Sequence, residues 1–150
     1  MTYTVLLLVH SWLRWVVVAL ILAAIVRAVR GGAWGDSDSR LRVATVSAFD
    51  TQVLIGLVLY AFSPMTPKSG AAIGAYMKVS ALRFFTVEHV FAMILAAAAL
   101  HVGSSKSKKA DDDRARHKTW AIALGVALFF VLAGIPWPFM PYARPLFRLP

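Results

Sequence analysis

Four long apolar stretches dominate this 150-residue chain and constrain its fold more than any other feature. A membrane span needs about 20 mainly apolar residues, because a helix rises about 1.5 Å per residue and the hydrocarbon core is roughly 30 Å thick. The stretches at about 3–29, 43–62, 84–102 and 120–135 meet that requirement. We therefore expect an all-α chain: a single integral membrane domain, built as an up-down bundle of four transmembrane helices. The first stretch lacks a basic leading region, carries Arg14 among its apolar residues and is too long for a signal-peptide core. It reads as a retained helix.

Charge and cysteine usage narrow the function. Of the residues 59% are hydrophobic and only 15% charged, against about 25% charged in soluble domains. A net charge of +9 would suggest nucleic acid in a soluble protein. Here apolar spans separate the basic residues, no continuous basic stripe can form, and nucleic acid is excluded as a partner. The chain has no cysteine, which rules out disulfides, thiolate zinc, Cys-ligated iron–sulfur clusters and covalent c-type haem. Metal or cofactor chemistry is left to the histidines, the carboxylates, Met and Tyr.

The connections agree with these spans. Gly31, Gly32 and Gly35 end the first helix, and Ser63, Pro64 and Pro67 the second. Residues 71–81 suit a short interfacial helix. Asp111, Asp112 and Asp113 suit the start of the fourth helix, where acidic caps complement the helix dipole. Pro136, Pro138 and Pro141 end it, and the aromatic tail through Trp137, Phe139, Tyr142 and Phe147 suits the headgroup zone. Ten basic residues, from Arg27 to Arg42 and from Lys106 to Lys118, fall on one side of the bundle. Lys68, Lys78, Arg83, Arg144 and Arg148 fall on the other. The positive-inside rule then sends both termini outward from the cytoplasm, the arrangement expected in a bacterial inner membrane.

Ionisable residues at membrane depth are functional candidates, since they are costly there without a partner. Counting from the terminal ends of their helices, His10 lies about 9 Å in and His89 roughly 8–12 Å in, with Gly56 at about 9 Å. Helices one and three are diagonal in an up-down bundle, so two imidazoles face each other across its axis, as a bis-histidine haem needs. Gly56 would let a flat ring come close to the backbone. The same histidines also suit plain interhelical hydrogen bonding. Arg14, one turn deeper than His10, matches Asp50 in depth, and we expect these two to pair. Glu88 suits a proton or quinone site, or an ion pair with Arg14 or Arg83. Arg83 and Lys78 are expected as haem-propionate partners. His101 and His117 are candidates for a second haem, but His89 and His101 are rotated about 120° apart, so one haem is favoured over two.

The stretches His10-Ser11-Trp12-Leu13-Arg14-Trp15, Phe49-Asp50-Thr51-Gln52 leading to Gly56, and Phe84-Phe85-Thr86-Val87-Glu88-His89 carry a resemblance. They look like a family of small bacterial four-helix membrane proteins labelled cytochrome-b-like, similar in architecture to the cytochrome b561 and superoxide oxidase class. The resemblance covers most of the chain and implies b-type haem with quinone-linked electron transfer. The rival expectation is a cofactor-free accessory subunit of a larger respiratory or photosynthetic membrane complex. A small proton-coupled carrier is a third, but its paired half-helix breaks are missing from the spans.

Overall fold

The computed structural model describes residues 2–147, which form helices joined by turns and irregular segments, with no strand among them. Helix α1 (Thr2–Arg30) and helix α2 (Asp36–Phe62) form the first two spans. A 3-10 turn at Gly70–Ala72, helix α3 (Ile73–Met77) and helix α4 (Ser80–Arg83) follow. A π turn (Phe84–Glu88) joins α4 to helix α5 (His89–Lys108), so the third span runs unbroken from Ser80 to Lys108. Helix α6 (Asp113–Ala133) is the fourth. All four are long and apolar enough to cross a membrane, as expected for a multi-pass membrane protein.

Their ends follow from capping chemistry. Gly31 and Gly32 take positive φ (65° and 95°), where a side chain would be strained, and they stop α1 at Arg30. Helix α2 starts seven residues before the expected apolar stretch. Gly35 is its N-cap, and the buried Asp38 side chain accepts from the Gly35 N–H at 2.9 Å. Asp38 also receives Arg27 in a two-pronged ion pair at 2.9 Å, which pins the end of α1 to the start of α2. Asp112 caps α6 as expected, accepting from the Ala115 N–H at 2.7 Å.

The helices form a ring in which α1 touches α2 and α6, and α5 packs mainly on α6. The α2–α5 seam is the thinnest of the four, and α1 and α5 are diagonal as expected. Outward faces are large and apolar, including Val16, Leu22, Leu54, Phe91, Ile122 and Phe129. Inward contacts are built from small residues such as Ala24, Ala28, Ala96, Ala123 and Ala127. That is the inverse of a soluble bundle and suits lipid outside with close backbone approach inside. A Cβ at Gly103 would lie 2.0 Å from that of Ala123, so α5 and α6 nearly touch there.

The tail after α6 does more than rest at the headgroups. Tyr142 stacks on Phe84 (ring centres 3.9 Å apart, 12° between planes), and Arg144 lies over Phe85. The Leu146 carbonyl accepts from Arg14 Nη2 at 2.6 Å and from Trp15 Nε1 at 3.0 Å. Phe147 then packs on Trp12 and Trp15. The chain thus returns along α1 to the level of Arg14, about 18 Å from Thr2. Arg148, counted above among the outer basic residues, lies outside the described residues.

Candidate functional site

The half of the bundle nearest the termini is hollow. A cavity of about 640 Å³ opens there between α1, α2, α5, the end of α6 and the returning tail. That volume falls within the range of about 300–1,000 Å³ usual for small-molecule and cofactor sites. Its walls are mostly apolar, with Leu7, Phe49, Val53, Phe85, Met93 and Val131 among them. A few polar groups converge on it: His10, Ser11, Arg14, Gln52, His89 and Arg144.

His10 on α1 and His89 on α5 face each other with ring centres 6.3 Å apart and planes at 69°. A metal–imidazole bond is about 2.0–2.1 Å long, and the ring centre lies roughly 1 Å behind the nitrogen. Two imidazoles that shared one metal would have ring centres roughly 6 Å apart, so the separation of this pair is compatible with both holding one.

Each histidine is oriented by backbone. The π turn brings the chain into His89 with its N–H bonded five residues back, to Phe84. Such bulges rotate the side chains that follow and recur at functional sites. His89 Nδ1 lies 2.7 Å from the Gly134 carbonyl. A carbonyl only accepts, so Nδ1 carries the proton and Nε2 keeps the free lone pair. Gly134 is the cap of α6, where helix carbonyls lose their own partners. The His10 ring packs on Gly56, with its Cε1 3.1 Å from where a Cβ would stand. The flat ring admitted by that glycine is thus the imidazole itself. His10 Nδ1 is buried without a hydrogen-bond partner, a polar atom that calls for one. Gln52 donates from Nε2 to the His10 carbonyl at 2.9 Å, joining α2 to α1 in the layer of the histidines.

Other expectations are corrected. Asp50 does not pair with Arg14: its Oδ1 lies 2.8 Å from His101 Nε2, while Arg14 donates to Leu146. Depths match as counted, but Asp50 is two residues from Gln52, about 200° around the helix. When Gln52 faces α1, Asp50 faces α5. Glu88 pairs with Arg83 at 2.6 Å, one of the two ion-pair partners expected for it, but neither lines the cavity. The cations on its wall are instead Arg14 and Arg144. Lys78 is exposed on the connection before α4. His101 and His117 are engaged by different neighbours. His101 meets Asp50, whereas His117 is buried against Trp34 at 4.8 Å with neither ring nitrogen bonded. They do not form a second ligand pair.

Gly134 and Arg144 are site residues without a sequence signal of that role, and Gln52 stood out only as part of the Phe49–Gln52 stretch. The nearest hint was Gly134 standing two residues before the Pro136 that ends the fourth helix. Among the described residues no three His, Asp or Glu side chains gather into a closed metal site. A prosthetic group that carries its own metal would ask only His10 and His89 of this chain. No known protein family, curated protein or solved structure matches this chain.

Proposed function

We propose that this chain is a b-type haem electron-transfer protein of a bacterial inner membrane, with one haem held by His10 and His89 and quinone as its lipid-soluble redox partner. The observation that carries this reading is the His10–His89 pair across the cavity, 6.3 Å between ring centres, with His89 Nδ1 already bonded to Gly134. When bound, the haem supplies one-electron chemistry within the bilayer. The chain's own residues do the rest. Gly134 sets the tautomer and plane of His89, and Gly56 lets His10 reach the axis. The apolar walls keep water away and so help set the potential. Arg14 and Arg144 would supply positive charge for the carboxylates of such a group, the role expected from the sequence of Arg83 or Lys78.

An absorbance spectrum of protein purified after expression with ample haem tests the reading. A low-spin Soret band supports it. A folded protein without one overturns it in favour of the cofactor-free accessory subunit. The basic loops are proposed to face the cytoplasm. A single Lys109→Cys introduced into this cysteine-free chain should react with impermeant thiol reagents only from that side.

A further inference from the structure

The α2–α5 seam holds a second group of polar residues, on the outside of the bundle and away from the cavity. Asp50 lies near the middle of its 27-residue helix. It meets His101 at 2.8 Å, yet the two side chains remain 41% and 55% exposed. Counted along the apolar stretches at 43–62 and 84–102, the pair lies toward the basic-loop end, where its open side chains are within reach of a ligand entering from the membrane. A groove of about 310 Å³ runs along the seam beside His101, toward the end of the bundle that carries the basic loops. Val46 and Ser47 line it from α2, and Ser104, Ser105 and Lys108 from α5.

We infer that this groove is a binding site for the ring of a membrane quinol, with His101 accepting a hydrogen bond from a ring hydroxyl and Asp50 holding His101 for that role. The proposal deepens the quinone-linked reading above and rests on it for its purpose, but its geometry is independent of the cavity.

The chemistry selects the ligand. Where His101 Nε2–H donates to Asp50, a neutral imidazole leaves Nδ1 as an acceptor, and His101 lines the groove. A neutral ring with a hydroxyl satisfies that acceptor. A phospholipid phosphate offers that acceptor no donor, and Lys108 with the two serines would hold it at the other end of the groove. The volume lies at the small end of ligand sites, suited to a single ring. Above the pair the seam is apolar and open, with Leu54 63% and Ile94 57% exposed. Each lies on the same helix face as Asp50 or His101, at spacings of four and seven residues. That strip gives an isoprenoid tail a place to lie. In the other direction Ser104, Ser105 and Lys108 form a polar path to the bundle end.

The test uses the full chain in nanodiscs with a decyl-tailed benzoquinol and its photoreactive azido analogue. Crosslinks on α2 and α5 around residues 46–54 and 94–105, displaced by excess quinol, are expected. His101→Ala should weaken quinol binding about tenfold, as loss of a hydrogen bond within an ionic pair does. Ser105→Trp leaves the pair intact and fills the groove, so it should abolish displaceable labelling even if His101→Ala misfolds. Crosslinks confined to cavity residues, no displaceable label, or displacement by anionic phospholipid rather than quinol would each overturn the proposal. The two readings fail separately. A chain with a Soret band but no label in the seam sinks only this site. A chain labelled in the seam without a Soret band sinks only the haem.

Discussion

The two halves of the bundle share four helices and pack in opposite ways. Toward the basic loops, Ala24, Ala28, Ala96, Leu100, Ala123 and Leu124 close around one another, and Gly103 lets α5 and α6 nearly touch. Toward the termini the same helices diverge around a cavity of about 640 Å³. Lipid gives helices no hydrophobic reason to collapse, so small residues and polar contacts decide where they close. The basic half has a run of small residues at its contacts. The terminal half has a π turn, a glycine cap followed by prolines, and aromatic rings that hold the helices apart. Close packing is concentrated in the first half, and open volume in the second.

That division can be broken experimentally. The largest effect is expected in the hollow half: His10→Ala and His89→Ala should each eliminate the low-spin haem spectrum, while His117→Ala should keep it. Retention of the wild-type spectrum in either of the first two variants would separate the cavity from the proposed chemistry. In the packed half, Gly103→Ala forces a methyl group into Ala123 with no flexible neighbour to yield. Overpacking of this kind should cost about 1–3 kcal/mol in unfolding experiments, with little change in spectrum. A neutral result would mean that the packed half is looser than its geometry.

Gly134→Ala is the matching change in the hollow half. Its Cβ meets the mobile end of Met93 at 2.6 Å and His89 Nδ1 at 3.5 Å. Stability should change less than for Gly103→Ala, while haem affinity should fall about tenfold through the disturbed His89 contact. Equal stability losses with no change in haem affinity would erase the distinction between the halves. The smallest effect concerns Asp50. A double-mutant cycle should find coupling with His101 of up to about 1 kcal/mol, given the open position of the pair. It should find none with Arg14. Coupling to Arg14 instead would restore the partnership expected from depth alone.

Much of the architecture was legible because bilayer thickness converts apolar length into spans directly. Gly31, Gly32 and Asp112 marked ends that the structure keeps. The early start of α2 was missed because residues 36–42 are polar; the Gly35–Asp38 cap and the Arg27–Asp38 pair make them helical. Depth was also readable, since rise per residue is constant, and it put His10, Gly56 and His89 in one layer. Azimuth was not. Asp50 met Arg14 in depth and His101 in space. The π turn changes rotation just before His89 by an interruption of the helix that its five residues do not announce.

The sequence by itself determined the four apolar spans, the absence of thiol chemistry and the depth of each polar residue, because these follow from local composition and a fixed helical rise. Only the tertiary structure decided which faces meet and what fills the space between them. Gly134 became the partner of His89 when the end of α6 reached α5, and Leu146 became the partner of Arg14 when the tail folded back along α1. His101 met Asp50 across the thinnest seam of the ring. Those contacts join residues 45, 132 and 51 positions apart. Helix rotation and tail path select them, and neither is encoded in a local pattern.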